Sequence, residues 1–281
     1  MFGQTVRVAH PDGLRRTSTS TATRAVIGLM GLMTALVVLS GCAATVTGLA
    51  SGSSSTGTAP PPTTSAPPAP QITSGPCKYT STPTQPAPTG KDEGLPADPS
   101  PTPNTGTVTV TLQTTQGEIP LTLNRALAPC TVQSFLFLAQ KTYFDNTPCH
   151  RLTADPGLDV LQCGDPTGTG QGGPGYTIPD ENPTGLAPAP SAQPGTPTVI
   201  YPAGTIAMAN TGQPNSGGSQ FFLVYSDSQL PPSYAVFGTA TATGLTTLNK
   251  IAAGGIVAAQ SATDGKPKLP VTITKAVVAA Q

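Results

Sequence analysis

Short apolar stretches separated by turn residues run from about residue 107 to the end of the chain, and they predict a mainly β fold. Residues 108–112 alternate Val with Thr, and a turn near Gln116 and Gly117 leads into residues 119–123, so the domain is predicted to open with a hairpin. Further strands are predicted around residue 151 and over residues 159–163, 205–209, 220–225, 235–238 and 271–278. Strands this short and this regularly spaced are typical of a closed barrel or a sandwich.

Two stretches have helical periodicity. Within residues 131–140 apolar side chains recur at i, i+3, i+4 and i+7, which predicts an amphipathic helix with Pro129 in its first turn. A second helix is predicted over residues 245–253, where Gly254 and Gly255 end it. One helix therefore precedes most of the strands, and the other follows them.

The composition locates the folded part. The chain has 281 residues with 31 Gly, 33 Pro, 9% charged residues and a formal net charge of zero, whereas a globular domain carries about 25% charge. Eleven of the 13 Phe and Tyr lie between residues 135 and 237, while residues 43–106 hold 14 prolines and one aromatic, Tyr79. We therefore predict a disordered Pro-, Thr- and Ser-rich linker over residues 42–106 and one domain over residues 107–281. Electrical neutrality argues against binding of nucleic acid, and we expect a monomer.

The N-terminus has the features of an export signal. Arg15, Arg16 and Arg24 precede an apolar stretch over residues 25–39, which is followed by Ser40, Gly41 and Cys42, so that it ends in LSGC. This predicts a signal peptide over residues 1–41. The small residues before Cys42 resemble a bacterial lipobox, which implies lipidation of Cys42 and a membrane anchor on the extracytoplasmic face of the cell membrane. The alternative is an ordinary signal peptide, or a short membrane helix, in which Cys42 has no such role.

Four cysteines remain in the part that would be exported: Cys77, Cys130, Cys149 and Cys163. An even number outside the cytosol favours disulfides over free thiols, although three pairings are open. A metal site is disfavoured, because the exported part has one histidine and no Cys-x-x-Cys spacing.

The sequence lacks the motifs of covalent catalysis and of nucleotide binding. His150 is the only histidine after the signal peptide, and no Gly-x-Ser-x-Gly or Walker motif is present. The glycine-rich residues 168–173 lack the lysine of a phosphate-binding loop, so we predict a surface loop. Arg151 is more informative, because an arginine that begins an apolar strand in a charge-poor domain usually has a charged partner or a ligand.

Five short motifs give the sequence a resemblance to a known family. In order they are CHR at residues 149–151, QCGD at 162–165, MAN at 208–210, SQFF at 219–222 and VFG at 236–238. Together they resemble the cyclophilins, which are peptidyl-prolyl cis–trans isomerases. The resemblance covers about residues 107–281 and implies an eight-stranded antiparallel β-barrel capped by two α-helices. It also implies that the domain needs no cofactor and rotates X-Pro bonds in proline-containing polypeptides, here in exported proteins.

The same resemblance implies a role for each matching residue. Arg151 would be the catalytic residue, donating a hydrogen bond to the prolyl nitrogen as the amide twists. His150 would be structural, and Phe222 would form the floor of the proline pocket while strand alternation turns Phe221 to the opposite face. Gln162 and Asn210 would hold the substrate backbone. The implied substrate-binding residues are Gln162, Met208, Ala209, Asn210, Gln220, Phe222, Leu230 and Tyr234.

The sequence also departs from the family pattern. The family's pocket phenylalanine has no aromatic counterpart, since Asp159 or Val160 stands there. Its groove tryptophan and histidine align near Leu230 and Tyr234, and loss of the tryptophan predicts weak cyclosporin binding. These changes motivate an alternative function, a proline-peptide-binding chaperone module with weak or no isomerase activity. A third possibility, a purely structural tethered domain, rests on the linker alone.

Two further expectations come from the resemblance. Cys149 and Cys163 replace an aromatic residue and a glycine on neighbouring strands, which implies that they form one disulfide and leaves Cys77 with Cys130. A Pro- and Ala-rich insertion over residues 186–198 is expected to form a loop beside the groove.

Overall fold

The structure is a computed structural model that describes residues 75–89, 91–190 and 195–280. The expected signal peptide, Cys42 and the first part of the expected linker lie outside these residues. Among the described residues, no helix is long and apolar enough to cross a membrane.

Short strands make up most of the regular secondary structure of the described residues. They are β1 (Thr80–Ser81), β2 (Thr107–Thr114), β3 (Gly117–Asn124), β4 (Thr147–Pro148), β5 (Arg151–Thr153), β6 (Val160–Cys163), β7 (Tyr176–Thr177), β8 (Val199–Tyr201), β9 (Thr205–Met208), β10 (Phe221–Val224), β11 (Ser228–Leu230), β12 (Val236–Ala240), β13 (Ile256–Ser261), β14 (Asp264–Pro267) and β15 (Thr272–Val278). Eleven of them form one curled antiparallel sheet in the order β13-β14-β5-β6-β10-β9-β12-β3-β2-β15-β4, and β1–β7 and β8–β11 form separate pairs.

The opening hairpin follows from alternating burial. Strands β2 and β3 pair over their whole length, with Val110 opposite Leu121 and Leu112 opposite Ile119. These four side chains are buried, while Thr111 and Pro120, which lie between them on the two strands, are half-buried. The predicted hairpin is confirmed, and its apolar face forms part of the main core.

Both predicted helices are confirmed, and each begins two or three residues earlier than its pattern indicated. Helix α1 spans Pro129–Gln140, and helix α2 spans Ala242–Ala253. The Thr241 hydroxyl caps α2 by accepting a hydrogen bond from the Gly244 amide. Helix α1 has no such cap of its own, because Ala128 precedes it.

A distant carboxylate caps α1 instead. The two oxygens of Glu181 accept hydrogen bonds from the amides of Cys130 and Thr131 at 2.9 and 2.8 Å. Burial raises the pKa of Glu181, and these hydrogen bonds oppose that rise. The negative charge at the helix N-terminus also complements the helix dipole.

The sheet has an apolar cluster on each of its two faces. The main core holds both helices against the inner face, with Phe135 packed between Phe144, Phe221 and Phe237. A smaller second cluster lies on the outer face and contains Phe222. Phe221 and Phe222 therefore point to opposite faces, as the alternation in β10 predicts.

The strand count differs from the expected eight-stranded barrel. The main sheet among the described residues has eleven strands, ending at β13 and β4. The difference comes from elements that no periodicity could indicate, since β4 has two residues and β13–β14 is a hairpin rich in Ala and polar residues.

The expected boundary at residue 107 also differs from the structure. We call residues 75–89 the strap. Thr80 and Ser81 of the strap pair antiparallel with β7, and the amides of Cys77 and Lys78 donate to the carboxylate of Asp98. Composition predicted a linker here, but strand pairing and a disulfide from Cys77 hold this segment on the domain.

The insertion at residues 186–198 is only partly a loop. Among the described residues, the Ala189 amide donates to the Thr198 carbonyl, and the Ile200 amide donates to the Ala187 carbonyl. This pairing leads into β8, which places Tyr201 in the second cluster.

Candidate active site

A cross-strand row of side chains crosses the outer face of the sheet. Arg151 on β5 is directly opposite Gln162 on β6, Gln162 is opposite Phe222 on β10, and Phe222 is opposite Ala207 on β9. Directly opposed residues share a face and lie about 5 Å apart at Cβ. The row therefore brings the charged, the amide and the aromatic residue of three separate motifs together.

The guanidinium of Arg151 is held by two partners. Its Nε and one terminal nitrogen donate to the two carboxylate oxygens of Asp264 at 2.9 and 2.7 Å, and the other terminal nitrogen donates to Oε1 of Gln162 at 3.3 Å. An arginine side chain has five N–H donors. Within the described residues three donors are therefore occupied and two remain, on a side chain that is 36% exposed.

Asp264 was not among the predicted site residues. It begins β14, which pairs with β5 at Thr153, and its side chain is only 14% exposed. Its hydrogen bond and charge raise the pKa of Arg151, so the guanidinium stays charged. The sequence did indicate a charged partner for Arg151, but residues 107–281 contain nine acidic residues, and no local pattern selected this one.

The polar contacts continue from Gln162 to the glycine-rich loop. Nε2 of Gln162 donates to Oε1 of Gln220 at 2.9 Å. Nε2 of Gln220 in turn donates to the carbonyls of Gly170 and Gly172 at 3.0 and 2.9 Å. The amide orientations of both glutamines are thus set from Arg151 at one end and from the loop at the other.

Asp165 shapes this loop. Burial raises its pKa, but hydrogen bonds from Thr167 and from the amides of Gly172 and Gly170 outweigh burial and lower the pKa below its usual value. A Cβ atom at Gly172 would lie 2.0 Å from a carboxylate oxygen of Asp165, so only glycine fits there. The predicted surface loop is therefore an ordered wall of the site.

Aromatic side chains form the floor beside Arg151. Phe222 is 5% exposed, and its ring lies 5.5 Å from that of Tyr234 and 6.3 Å from that of Tyr201. Leu230 packs against the same cluster. Tyr234 is close enough to Arg151 to contribute to the raised pKa of the arginine. These residues form an apolar cluster next to a fixed cation.

Tyr201 is a second residue that sequence reasoning missed. Its hydroxyl donates to the carbonyls of Pro231 and Tyr234 at 3.0 and 3.2 Å, and burial raises its pKa to about 12. Of the two residues expected where the family has its pocket phenylalanine, Asp159 and Val160, Val160 is buried in the same cluster. Tyr201 reaches this cluster from β8, which follows the insertion and where the sequence offered no motif to indicate it.

The MAN motif divides between the core and the site. Met208 was expected to bind substrate, but it is 3% exposed and packs in the main core, because Ala207 takes the outward position on β9. Ala209 contacts the second cluster. Asn210 lies at the site, where its side-chain nitrogen donates to the Ser233 carbonyl at 2.8 Å.

His150 is next to Arg151 in sequence but faces the loop. A Cβ atom at Gly170 would lie 3.4 Å from its ring, and its Nδ1 is buried with no hydrogen-bond partner among the described residues. Burial lowers the pKa of His150. The ring packs as a neutral group under the loop.

Two disulfides join cysteines in the part of the chain that the structure describes, Cys77–Cys130 and Cys149–Cys163, so the pairing implied by the resemblance is confirmed. Cys149 stands two residues before Arg151, and Cys163 directly follows Gln162. The second disulfide therefore joins the two chain segments that carry the Arg151–Gln162 pair. Among the described residues, no group of three or more His, Cys, Asp and Glu side chains could hold a metal ion.

Comparison with known proteins identifies the family. Residues 109–278 match a protein-family model described as cyclophilin type peptidyl-prolyl cis-trans isomerase/CLD. This match covers more than half of the chain. The chain therefore belongs to the cyclophilin family.

Similar proteins are known from mycobacteria. The chain is 53% identical over 186 residues to a probable peptidyl-prolyl cis-trans isomerase B of Mycobacterium tuberculosis, covering 66% of this chain and 56% of that protein. It is 52% identical over 191 residues to the protein of the same name from Mycobacterium leprae, covering 68% and 60%. The chain thus spans less than two thirds of the length of these relatives. A crystal structure of a Cryptosporidium parvum cyclophilin is 29% identical with a TM-score of 0.49, covering 63% of this chain and 99% of that one.

Proposed function

We propose that the domain is a peptidyl-prolyl cis–trans isomerase that acts on X-Pro bonds without a covalent intermediate. The observation that best supports this is the guanidinium of Arg151. It is oriented by Asp264 and Gln162, it retains two N–H donors that no described residue occupies, and it lies on the same face as the aromatic floor around Phe222.

The chemistry requires no nucleophile. Amide resonance gives rotation about the peptide bond a barrier of roughly 18–20 kcal/mol. As the bond twists, resonance is lost and the prolyl nitrogen regains a lone pair. A donor that contacts this nitrogen only in the twisted state lowers the barrier by differential binding.

Different residues of the site would bind the proline ring, bind the substrate backbone and donate the hydrogen bond to the prolyl nitrogen. The apolar floor of Phe222, Leu230 and Tyr234 suits a pyrrolidine ring, while Gln162 and Asn210 offer amides to the substrate backbone. Arg151 supplies a donor that cannot lose its charge near neutral pH. Stabilisation of the twisted state by about 4 kcal/mol would accelerate the reaction by about three decades.

A variant of the arginine tests this function. In Arg151→Lys the charge remains, but the planar fork to Asp264 is lost. We expect kcat for a proline test peptide to fall at least tenfold while the peptide's Kd changes little. Turnover equal to that of the wild type would overturn the proposed role of Arg151.

The second candidate is a proline-binding chaperone module with weak or no turnover. The missing pocket phenylalanine favours it, because Asp159 or Val160, neither of them aromatic, stands where that phenylalanine is expected. Peptide binding together with an uncatalysed rate of isomerisation would favour this function over the first.

We further propose that the protein is lipid-anchored through Cys42 on the extracytoplasmic face of a bacterial cell membrane and acts there on exported polypeptides. The support is the LSGC sequence that ends the apolar segment at Cys42. Cys42→Ser should release the full chain from the membrane fraction. A variant that stays in the membrane fraction would contradict the lipid anchor.

A further inference from the structure

A cavity of about 450 Å³ adjoins the proposed groove. Its inner wall includes Gln162 and Gln220, which belong to the network around Arg151, and also Asn210. Its outer wall is formed by the strap, through Thr82, Gln85 and Pro86. The cavity is thus continuous with the site on one side and bounded by the N-terminal segment on the other.

The strap is held in place where it lines the cavity. The Thr82 amide donates to the Gly175 carbonyl at 2.8 Å, and Thr82 and Gln85 exchange two hydrogen bonds of 2.9 and 3.0 Å across a tight turn. At Gly175 a Cβ atom would lie 3.1 Å from the Ala87 amide nitrogen, so the two segments are in close contact.

Both ends of this segment are fixed as well. The disulfide Cys77–Cys130 ties its start to helix α1. Just beyond the strap, Nζ of Lys91 donates to the carbonyls of Thr142, Tyr143 and Asp145 at 3.0, 2.8 and 3.0 Å. A wall fixed in this way is ordered before a substrate arrives, so little ordering entropy opposes binding against it.

The lining of the cavity has a specific chemistry. Its side chains are hydroxyls, amides, prolines, a tyrosine and an alanine, together with glycine backbone, and none carries a charge. A charged side chain that enters such a cavity loses hydration without gaining a counter-charge. An uncharged side chain that can form hydrogen bonds loses less hydration free energy on entering the cavity, and the lining offers it both hydrogen-bond donors and acceptors.

The strap also lies outside the part of the chain that matches the family, which begins at residue 109. We propose that the strap is a specificity-determining element, which closes this cavity so that it accepts an uncharged, hydrogen-bonding side chain of a residue near the substrate proline. This inference rests on the proposed function, because it names the substrate class of the same groove.

A charge of either sign introduced at the rim of the cavity provides the test. Gln85 lines the cavity, whereas its exposed neighbour Thr84 does not, so Gln85→Lys, Gln85→Glu and the control Thr84→Lys are compared in the full chain. The test peptides carry Ser, Gln, Glu or Lys at one position at a time. The positions varied are the two residues before the proline and the two residues after it. Both kcat/KM and Kd are measured for every peptide.

The wild type should prefer Ser and Gln over Glu and Lys at one of these positions, by about fivefold or more. Gln85→Lys should raise the ratio of kcat/KM for the Glu peptide to kcat/KM for the Lys peptide at that position about threefold. Gln85→Glu should lower this ratio by a similar factor, as expected for an ion pair near the surface. Thr84→Lys should leave the ratio unchanged. Equal ratios in all variants, or equal shifts for Thr84→Lys and Gln85→Lys, would overturn the inference.

The two proposals fail in different ways. Absent turnover with a charge-dependent Kd would overturn isomerase function and support the role of the strap. Normal turnover with no dependence on charge at any position would support isomerase function and overturn the role of the strap.

Discussion

Arg151 and Asp264 are 113 residues apart in the chain, yet the guanidinium of Arg151 donates two hydrogen bonds to the carboxylate of Asp264. The fork of an arginine matches the two oxygens of a carboxylate, so the pair sets the plane of the guanidinium as well as its position. In a reaction that needs one donor at one nitrogen atom, this orientation matters more than the net charge.

The first prediction concerns this pair. Asp264→Asn keeps the shape of the side chain and one acceptor but removes the bidentate contact. The hydrogen bonding that orients the guanidinium should weaken by about 1 to 2 kcal/mol. In a peptide isomerisation assay, we expect this to lower kcat about five- to thirtyfold with little change in KM. Asp155→Asn is the control, because Asp155 acts on the pKa of Arg151 through its charge without a hydrogen bond. Equal kcat values for the two variants would argue against a positioning role of Asp264.

The second prediction concerns Tyr201. Tyr201→Phe keeps the ring against Phe222 but removes the hydroxyl that holds the backbone at Pro231 and Tyr234. We expect KM to rise several-fold with kcat nearly unchanged, and a loss of about 1 kcal/mol in the free energy of unfolding. Tyr225→Phe is a matched control, because its hydroxyl donates to the Thr153 carbonyl and not to this cluster. It should lower stability without raising KM, so an equal rise in KM would contradict the role of Tyr201.

The third prediction compares the disulfides. They join residues separated by 14 and by 53 positions, for which loop entropy predicts losses of about 3 and about 4 kcal/mol when each is removed. Denaturant unfolding of the double alanine variants measures both. Removal of Cys149–Cys163 should also lower kcat, because this disulfide joins the segments that carry Arg151 and Gln162. An unchanged kcat would show that the sheet alone holds this pair.

The fourth prediction concerns pH. Burial lowers the pKa of His150, so the unfolded chain takes up a proton at a higher pH than the folded protein does. The contribution of neutral His150 to the free energy of unfolding is complete above its pKa in the unfolded chain, about 6.5. This contribution is lost as the pH falls through the lower pKa of His150 in the folded protein. In that window the stability of the wild type should fall by up to about 1.4 kcal/mol per pH unit relative to His150→Gln. Parallel stability curves for the two proteins would contradict a buried neutral histidine.

The sequence indicated those elements of the fold in which apolar positions recur with a regular period. The hairpin β2–β3, helix α1 and the opposite orientation of Phe221 and Phe222 were all predictable, because a side chain's face depends on its position within one element. The strap was not predictable, since its order depends on pairing with β7 and on a disulfide. Its composition alone resembles that of a linker.

By itself, the sequence determined that an arginine at position 151 stands at the start of a short strand, among motifs that resemble one family. Only the tertiary structure decided that Asp264 orients this arginine, that Tyr201 reaches the floor around Phe222, and that Gln85 borders the neighbouring cavity. Periodicity and motif spacing are local properties that a sequence displays directly. These three spatial relationships arise from strand register and from segments far apart in the chain, which become neighbours only when the sheet curls.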